Sequence, residues 1–277
     1  MFLFFFTLCT TTIKAQHKLS EKEKDSLVFR GNHFGFEIAR LETAKARVKR
    51  TSGNYPISSS LTPGAKLAVF YHINFNQELS LNIGGEATVV ERNFIVDFHK
   101  NDFSPPLIED YHFTGKRTRV GDLLLNLPIT IEKRVWYKNK QFLSLEAGVN
   151  VNISTGADAD ISDAYVQHTD GSYSQAAEVN VYANNDAKPW LSYVFNAGNS
   201  WRLKNNNLLQ LGITANVSFT KYVNGTYTIT IPNKPLTSGT YSSTGTYVGL
   251  CLRYSLTNTN YRLRKLYEKE KKNTVTF

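Results

Sequence analysis

Two glutamates are placed to do chemistry together. Glu132 and Glu146 each lie seven residues from a polar turn centred near Asn139, so an antiparallel hairpin folded there sets them side by side. Neighbouring carboxylates in a confined space repel, one is driven to keep its proton, and an acid–base couple results. The same arithmetic about a turn centred near Asn76 sets Lys66 beside Glu86, ten residues away on either side, as a complementary pair. Glu37, Asp122, Arg134, Arg202 and Arg253 fall on the same alternating set. A buried ion network, with arginines neutralising the paired glutamates, accounts for all of these residues without a reaction. The expectation is therefore a charge network of Lys66, Glu86, Glu132, Arg134, Glu146, Arg202 and Arg253, and no catalytic residue is named.

Other reactive side chains lack a usable pattern. His33, His72, His99, His112 and His168 have no ligand spacing, and chain order picks out no Ser–His–Asp set. Asp158, Asp160, Asp163 and Asp170, with Gly156 and Gly171, offer oxygen ligands for calcium. They lack the spacing and closing Glu of an EF-hand, so a solvated loop is expected there. Neither a cofactor nor a metal is expected, and no motif calls for an enzyme. Lys45, Arg47, Lys49 and Arg50, together with Lys116, Arg117 and Arg119, form two basic clusters suited to phosphate groups.

The elements that must position these residues are strands. From Leu143 to Ile153 every second residue is apolar, and the residues between are Ser144, Glu146, Gly148, Asn150 and Asn152. Leu209 to Phe219 repeats the pattern against Gln210, Gly212, Thr214, Asn216 and Ser218. Weaker versions at Phe34–Ala44, Ala65–Ile73, Leu79–Val89, Leu123–Val135, Leu191–Leu203 and Val248–Leu256 bring the count to eight. Tight polar turns at Asn74–Gln77, Tyr137–Lys140 and Lys204–Asn207 alternate with long segments near 45–62, 98–116, 155–189 and 223–243. This is the layout of an all-β, eight-stranded antiparallel up-and-down transmembrane β-barrel with short periplasmic turns and long extracellular loops. Tyr71, Phe75, Trp136, Tyr137 and Trp201 beside the short turns, with Trp190, Phe219 and Tyr222 toward the long loops, are expected to form two interfacial girdles. The rival is a soluble lipocalin-like barrel with its apolar rows turned inward. Small uncharged residues on the polar face favour a narrow lumen over a water-facing surface.

Met1–Cys9 is an apolar run followed by a polar stretch and Ala15, which predicts a cleaved signal peptide at 1–15. The expected order is then a periplasmic N-terminal segment at 16–30, an outer-membrane barrel at 31–257 and a basic C-terminal tail at 258–277. In that tail Leu263, Leu266 and Tyr267 share one face of a short amphipathic helix. Cys251 is the cysteine left to the mature chain, which excludes an internal disulfide. A net charge of +9 is assigned to attraction toward lipopolysaccharide phosphate rather than nucleic acid.

The run Leu123-Leu124-Leu125-Asn126-Leu127-Pro128-Ile129-Thr130-Ile131, the following Phe142-Leu143-Ser144-Leu145-Glu146-Ala147-Gly148, and the Ala15-Gln16 signal end resemble the PorT-like outer-membrane β-barrel proteins of Gram-negative bacteria. The resemblance spans Phe34 to Leu256 and rests on pattern. It implies an outer-membrane location and an eight-stranded or similar barrel. Some relatives assist protein secretion and many have no assigned role, so it implies no mechanism. The chain departs from the family at its basic tail, since such barrels end on a strand with a terminal aromatic.

The expected function is a structural, interaction or secretion-accessory role in the outer membrane. The lumen should be filled by polar side chains, because about eight strands enclose only enough room for them. The alternatives are an outer-membrane enzyme acting on lipid and, behind it, a soluble lipocalin-like carrier. Expected partners are outer-membrane lipid and lipopolysaccharide, and periplasmic or secretion-system proteins.

Overall fold

A strand whose apolar residues recur every second position must show one oily row and one polar row, and the fold has to find a medium for each. The computed structural model describes residues 27–116, 122–155, 160–183 and 188–257, with Lys265. Among these the chain forms β1 (His33–Thr43), β2 (Arg47–Ser52), β3 (Thr62–Asn74), β4 (Leu79–Val90), β5 (Asn93–Phe98), β6 (Tyr111–Lys116), β7 (Asp122–Lys138) and β8 (Gln141–Ser154). They are followed by β9 (Asp160–Gln167), β10 (Tyr173–Ala183), β11 (Trp190–Arg202), β12 (Leu208–Val217), β13 (Val223–Ile229), β14 (Thr237–Ser243) and β15 (Tyr247–Leu256). The signal segment and the basic tail lie outside the described residues, apart from Lys265.

Eight strands close a barrel in the order β1-β3-β4-β7-β8-β11-β12-β15, with β15 pairing back to β1. Every neighbour is antiparallel, so the chain runs as a meander without an open edge. Short turns join β3 to β4, β7 to β8 and β11 to β12 at one end, and the long connections lie at the other. Gly148 permits a close approach of β7 and β8, for a Cβ there would come 2.1 Å from the Ile129 carbonyl oxygen.

The apolar rows point outward. Leu67 is 63% exposed, Leu191 62% and Leu250 65%, while Glu37, Lys66, Glu146 and Arg253 on the opposite face are buried. A lipocalin-like arrangement requires the reverse, so that alternative is overturned. On β1 the outer row passes from Phe34, Phe36 and Ile38 to Arg40 and Glu42, beside the exposed Leu250 and Val248 of β15.

The long connections differ from the expectation of loops, because seven further strands occupy them. Strands β2, β14, β13, β10 and β9 form one sheet, and β5 with β6 forms a hairpin. Ser58 bridges to Ile95 and Leu107 to His168, linking hairpin, sheet and the chain after β2 into a head above the barrel. Here the polarity is inverted. Val223, Tyr227 and Ile229 of β13 are buried while Asn224 and Thr226 face out, and Phe94, Val96 and Phe98 of β5 are buried while Asp97 is exposed. The head core, with Tyr55, Phe103, Phe113, Val166, Val179 and Tyr241, runs without a break into the upper barrel at Leu41, Val90, Leu124 and Tyr247. Each such side chain contributes about 1.5–3 kcal/mol by leaving water. Tyr222 belongs to this head, buried and stacked on Trp190 at 5.5 Å, so neither forms the outer girdle expected of them; Phe219 does project, 79% exposed.

Candidate functional site

The barrel interior collects the charged residues that the alternation had set on one face. Near the short turns, Arg134 meets Glu132 at 2.6 Å and donates to Ser80 Oγ at 2.8 Å, while Ser144 donates to Glu132 Oε1 at 2.6 Å. Next come the stacked rings of His33 and His72, 4.5 Å apart, with His72 Nδ1 2.7 Å from Asn82 Oδ1. In the middle Arg253 spans two carboxylates: its Nε and Nη2 reach Glu37 Oε2 at 2.9 and 2.7 Å, and its Nη1 and Nη2 donate to Glu146 at 3.1 and 2.9 Å. Asn82, Thr130 and Asn196 also donate to Glu146. Above them Lys66 lies 2.7 Å from Glu37 and 3.6 Å from Glu86, and donates to Thr214 Oγ1 at 2.9 Å. Asn126 and Asn150 each donate to Glu86 Oε1 at 3.0 Å.

Both ends of this polar column are covered by apolar groups. At the upper end stands the Tyr247, Leu41, Val90 and Leu124 layer. At the lower end Val28 and Phe29, from the chain before β1, pack with Phe142, Leu208 and Trp136. The Arg134 guanidinium lies 4.2 Å from the centre of the Phe29 ring.

Glu132 and Glu146 are direct cross-strand partners, as the hairpin arithmetic requires. Arg134 pairs with Glu132, and Arg253, shared with Glu37, pairs with Glu146, so an ion network accounts for the pair without an acid–base couple. Lys66 faces Thr88 rather than Glu86, which pairs with Ala68. The β3–β4 turn centres one residue later than expected, and the long lysine still spans the diagonal. Arg202 stands at the short-turn end, where it donates to Asn206 Oδ1 at 2.9 Å. Asp122 opens β7, and its side chain lies outside the described residues.

Of the basic clusters, Lys45 is exposed just above β1, and Arg47, Lys49 and Arg50 are exposed on β2, the edge strand of the head sheet. Lys116 ends β6, while Arg117 and Arg119 lie outside the described residues. The aspartate stretch is a correction: instead of a solvated loop, β9 and β10 pair across it as a hairpin with Ala164, Val166, Ala177 and Val179 buried. Asp158 lies outside the described residues, Asp160 and Asp163 sit on β9, and Asp170 closes the turn. Hydrogen bonds from the Ser172 hydroxyl and amide hold the Asp170 carboxyl below its ordinary range. Among the described residues no three His, Cys, Asp or Glu side chains gather around a point where a metal would sit.

Two polar clusters in the head escaped sequence reasoning. His168 is buried, with Nδ1 2.7 Å from the Pro105 carbonyl oxygen and Nε2 2.8 Å from Ser174 Oγ. Tyr55 donates to Asp102 Oδ2 at 3.0 Å, and Lys234 pairs with the other Asp102 oxygen, tying three connections together. Burial acts to raise the Asp102 carboxyl, but the Lys234 and Tyr55 hydrogen bonds outweigh it and hold the group below its usual range. Burial, reinforced by Asp102, raises the Tyr55 phenol. The Tyr55–Asp102–Lys234 cluster joins three separate connections, and the nearness of His168 to Ser174 depends on a β9–β10 hairpin that the sequence pattern did not show.

A closed eight-stranded meander with an oily exterior and an ion-paired polar interior is an outer-membrane β-barrel. No protein-family model matches the chain, and no curated protein sequence matches it. Among solved structures, the chain is similar to Neisserial surface protein A, at 12% identity over 80% of this chain and 96% of that one, with a TM-score of 0.37. It is similar also to the outer membrane protein OprG from Pseudomonas aeruginosa, at 10% identity over 83% and 99%, TM-score 0.38. A third is the outer membrane protein AlkL, at 9% identity over 83% and 92%, TM-score 0.39.

Proposed function

We propose that the barrel is a closed anchor in the outer membrane and that the head, held at the cell surface, carries a structural, interaction or secretion-accessory role. The observation behind this reading is the occupied lumen: ion pairs fill it from Arg134 to Lys66, and apolar residues cover both ends. The short turns face the periplasm in this reading, as they do in barrels of this type. The PorT-like pattern of Leu123–Ile131 and Phe142–Gly148 makes protein secretion the first accessory role to examine. Purified protein reconstituted in planar bilayers is expected to give no steady current. A sustained conductance of porin size overturns the reading.

Lys45, Arg47, Lys49 and Arg50 are exposed together on and just before β2, and in this reading they bind lipopolysaccharide phosphates. Reversing the charge of these four should ease extraction of the protein from native membranes. A variant that extracts and melts like the parent removes the contact.

One observation favours a second reading, an enzyme acting on lipid. The His168 imidazole is oriented by a carbonyl on one side and meets the half-buried Ser174 hydroxyl on the other, the arrangement of a base and its nucleophile. A fluorophosphonate probe that labels Ser174, and fails to label the Ser174→Ala protein, supports it. An unlabelled parent protein rejects it.

A further inference from the structure

The hairpin of β5 and β6 brings together four side chains that chain order keeps apart. Asp97 faces His112 across the hairpin, and continuing that register by two residues sets His99 opposite Asp110. All four project from the same outer face, since Phe94, Val96, Phe98 and Phe113 occupy the inner one. Their side chains are 61–64% exposed. His112 Nδ1 is bonded to Asp97 Oδ1, and His99 Nδ1 lies 3.5 Å from Asp110 Oδ2. The backbone amide of Lys100 donates to the other Asp110 oxygen at 2.8 Å, which fixes that carboxylate in place.

Each imidazole therefore has Nδ1 turned to a carboxylate and Nε2 turned away from it. A carboxylate on one ring nitrogen is the partner a metal-ligating histidine ordinarily has, because it fixes the tautomer and makes the other nitrogen a better donor. His99 and His112 are diagonal neighbours, a separation of about 7–8 Å that two imidazoles can span around one ion. The remaining described histidines, His33, His72 and His168, are buried, so the head concentrates its exposed imidazole at this spot.

We propose that the outer face of the β5–β6 hairpin binds one divalent first-row transition-metal ion through Nε2 of His99 and Nε2 of His112, with Asp97 and Asp110 as the orienting partners. Imidazole donors with carboxylates behind them suit Zn²⁺, Ni²⁺ and Cu²⁺ rather than Ca²⁺ or Mg²⁺. Water would fill the other coordination positions, since two protein ligands leave the ion open to solvent. The inference is independent of what the head binds otherwise, and it holds whether or not the barrel conducts.

The test is calorimetric titration of Zn²⁺ and of Ni²⁺ into untagged, chelator-stripped full-length protein in detergent. One ion per chain is expected to bind. His99→Gln and His112→Gln should each abolish saturation over the same range, and Asp97→Asn with Asp110→Asn should weaken binding about tenfold or more through loss of the orienting bonds. These positions are exposed, so the variants should keep the parent's gel mobility before and after heating. Absence of binding by the parent overturns the proposal, and so does a His99→Gln/His112→Gln protein that binds as the parent does.

Discussion

Ile213 of β12 and Ile229 of β13 lie sixteen residues apart on strands with the same alternation, yet Ile213 is 53% exposed and Ile229 is fully buried. Around Ile213 the interior partners are Thr214, Asn216 and Gln210, all buried; around Ile229 the interior holds Tyr227, Val223 and Tyr241. The barrel thus keeps polarity inside and oil outside, while the head, a separate sheet and hairpin, does the opposite. The difference teaches that alternation specifies two faces and the medium decides which turns in. Hydrocarbon accepts the barrel rows, and hydrogen bonds gain strength in its shielded interior. Water surrounds the head, where burial of the apolar row drives assembly.

The largest break in this contrast should come from the barrel interior. Arg253→Ala leaves Glu37 and Glu146 buried without their shared guanidinium, and a loss of about 3–5 kcal/mol is expected. Urea titration followed by the mobility difference between folded and heated protein would measure it, and a loss below about 1 kcal/mol would deny the network its role. A matched pair of truncations should sharpen the contrast. Ile229→Ala opens a cavity in a protein core and should cost about 2–5 kcal/mol, read as faster proteolysis of the head. Ile213→Ala faces a fluid solvent that fills the space, and should cost about 1 kcal/mol or less. Equal losses would mean that the two rows do not meet different media.

The smallest effect belongs to the head clamp. Its ion pair is partly exposed, with the Lys234 side chain 38% accessible, so Asp102→Asn should cost only about 0.2–1 kcal/mol after screening. Because the Asp102 carboxyl is held below its unfolded value, its contribution is full above that value and is lost as pH falls through the folded one. Proteolysis of the head should therefore quicken on acidification below about pH 4, and less so in Asp102→Asn. Indistinguishable acid profiles for the two proteins would remove the clamp.

The eight barrel strands were legible because each is long and its apolar row is nearly unbroken, as in Leu143–Ile153. The head strands were not. They are six to eleven residues long, and their buried rows include Thr237, Gly239 and Ser243 on β14 and Ala164 on β9, residues that carry little hydrophobic signal. Read alone, Asp160, Ser162 and Asp163 suggest a loop; in the fold the backbone of all three pairs with β10. The interior network was legible wherever a turn centre could be placed, as for Glu132 and Glu146. It slipped at Lys66, where the turn centres one residue later than the polar run suggests. His99 and His112 looked scattered because their nearness depends on a hairpin that the pattern did not announce.

Phe29 precedes the first strand, yet its ring rests on Trp136 and Phe142, contributed by β7 and β8 on the far side of the meander. Those two rings are cross-strand partners in one hairpin, but Phe29 meets them, with Leu208 of β12, only once the sheet has curled. Docking of Val28 and Phe29 is thus a late event in folding, one that fastens a finished cylinder rather than starting it. A chain trimmed to begin at residue 31 should still close as the parent does, but its closed form should unfold faster.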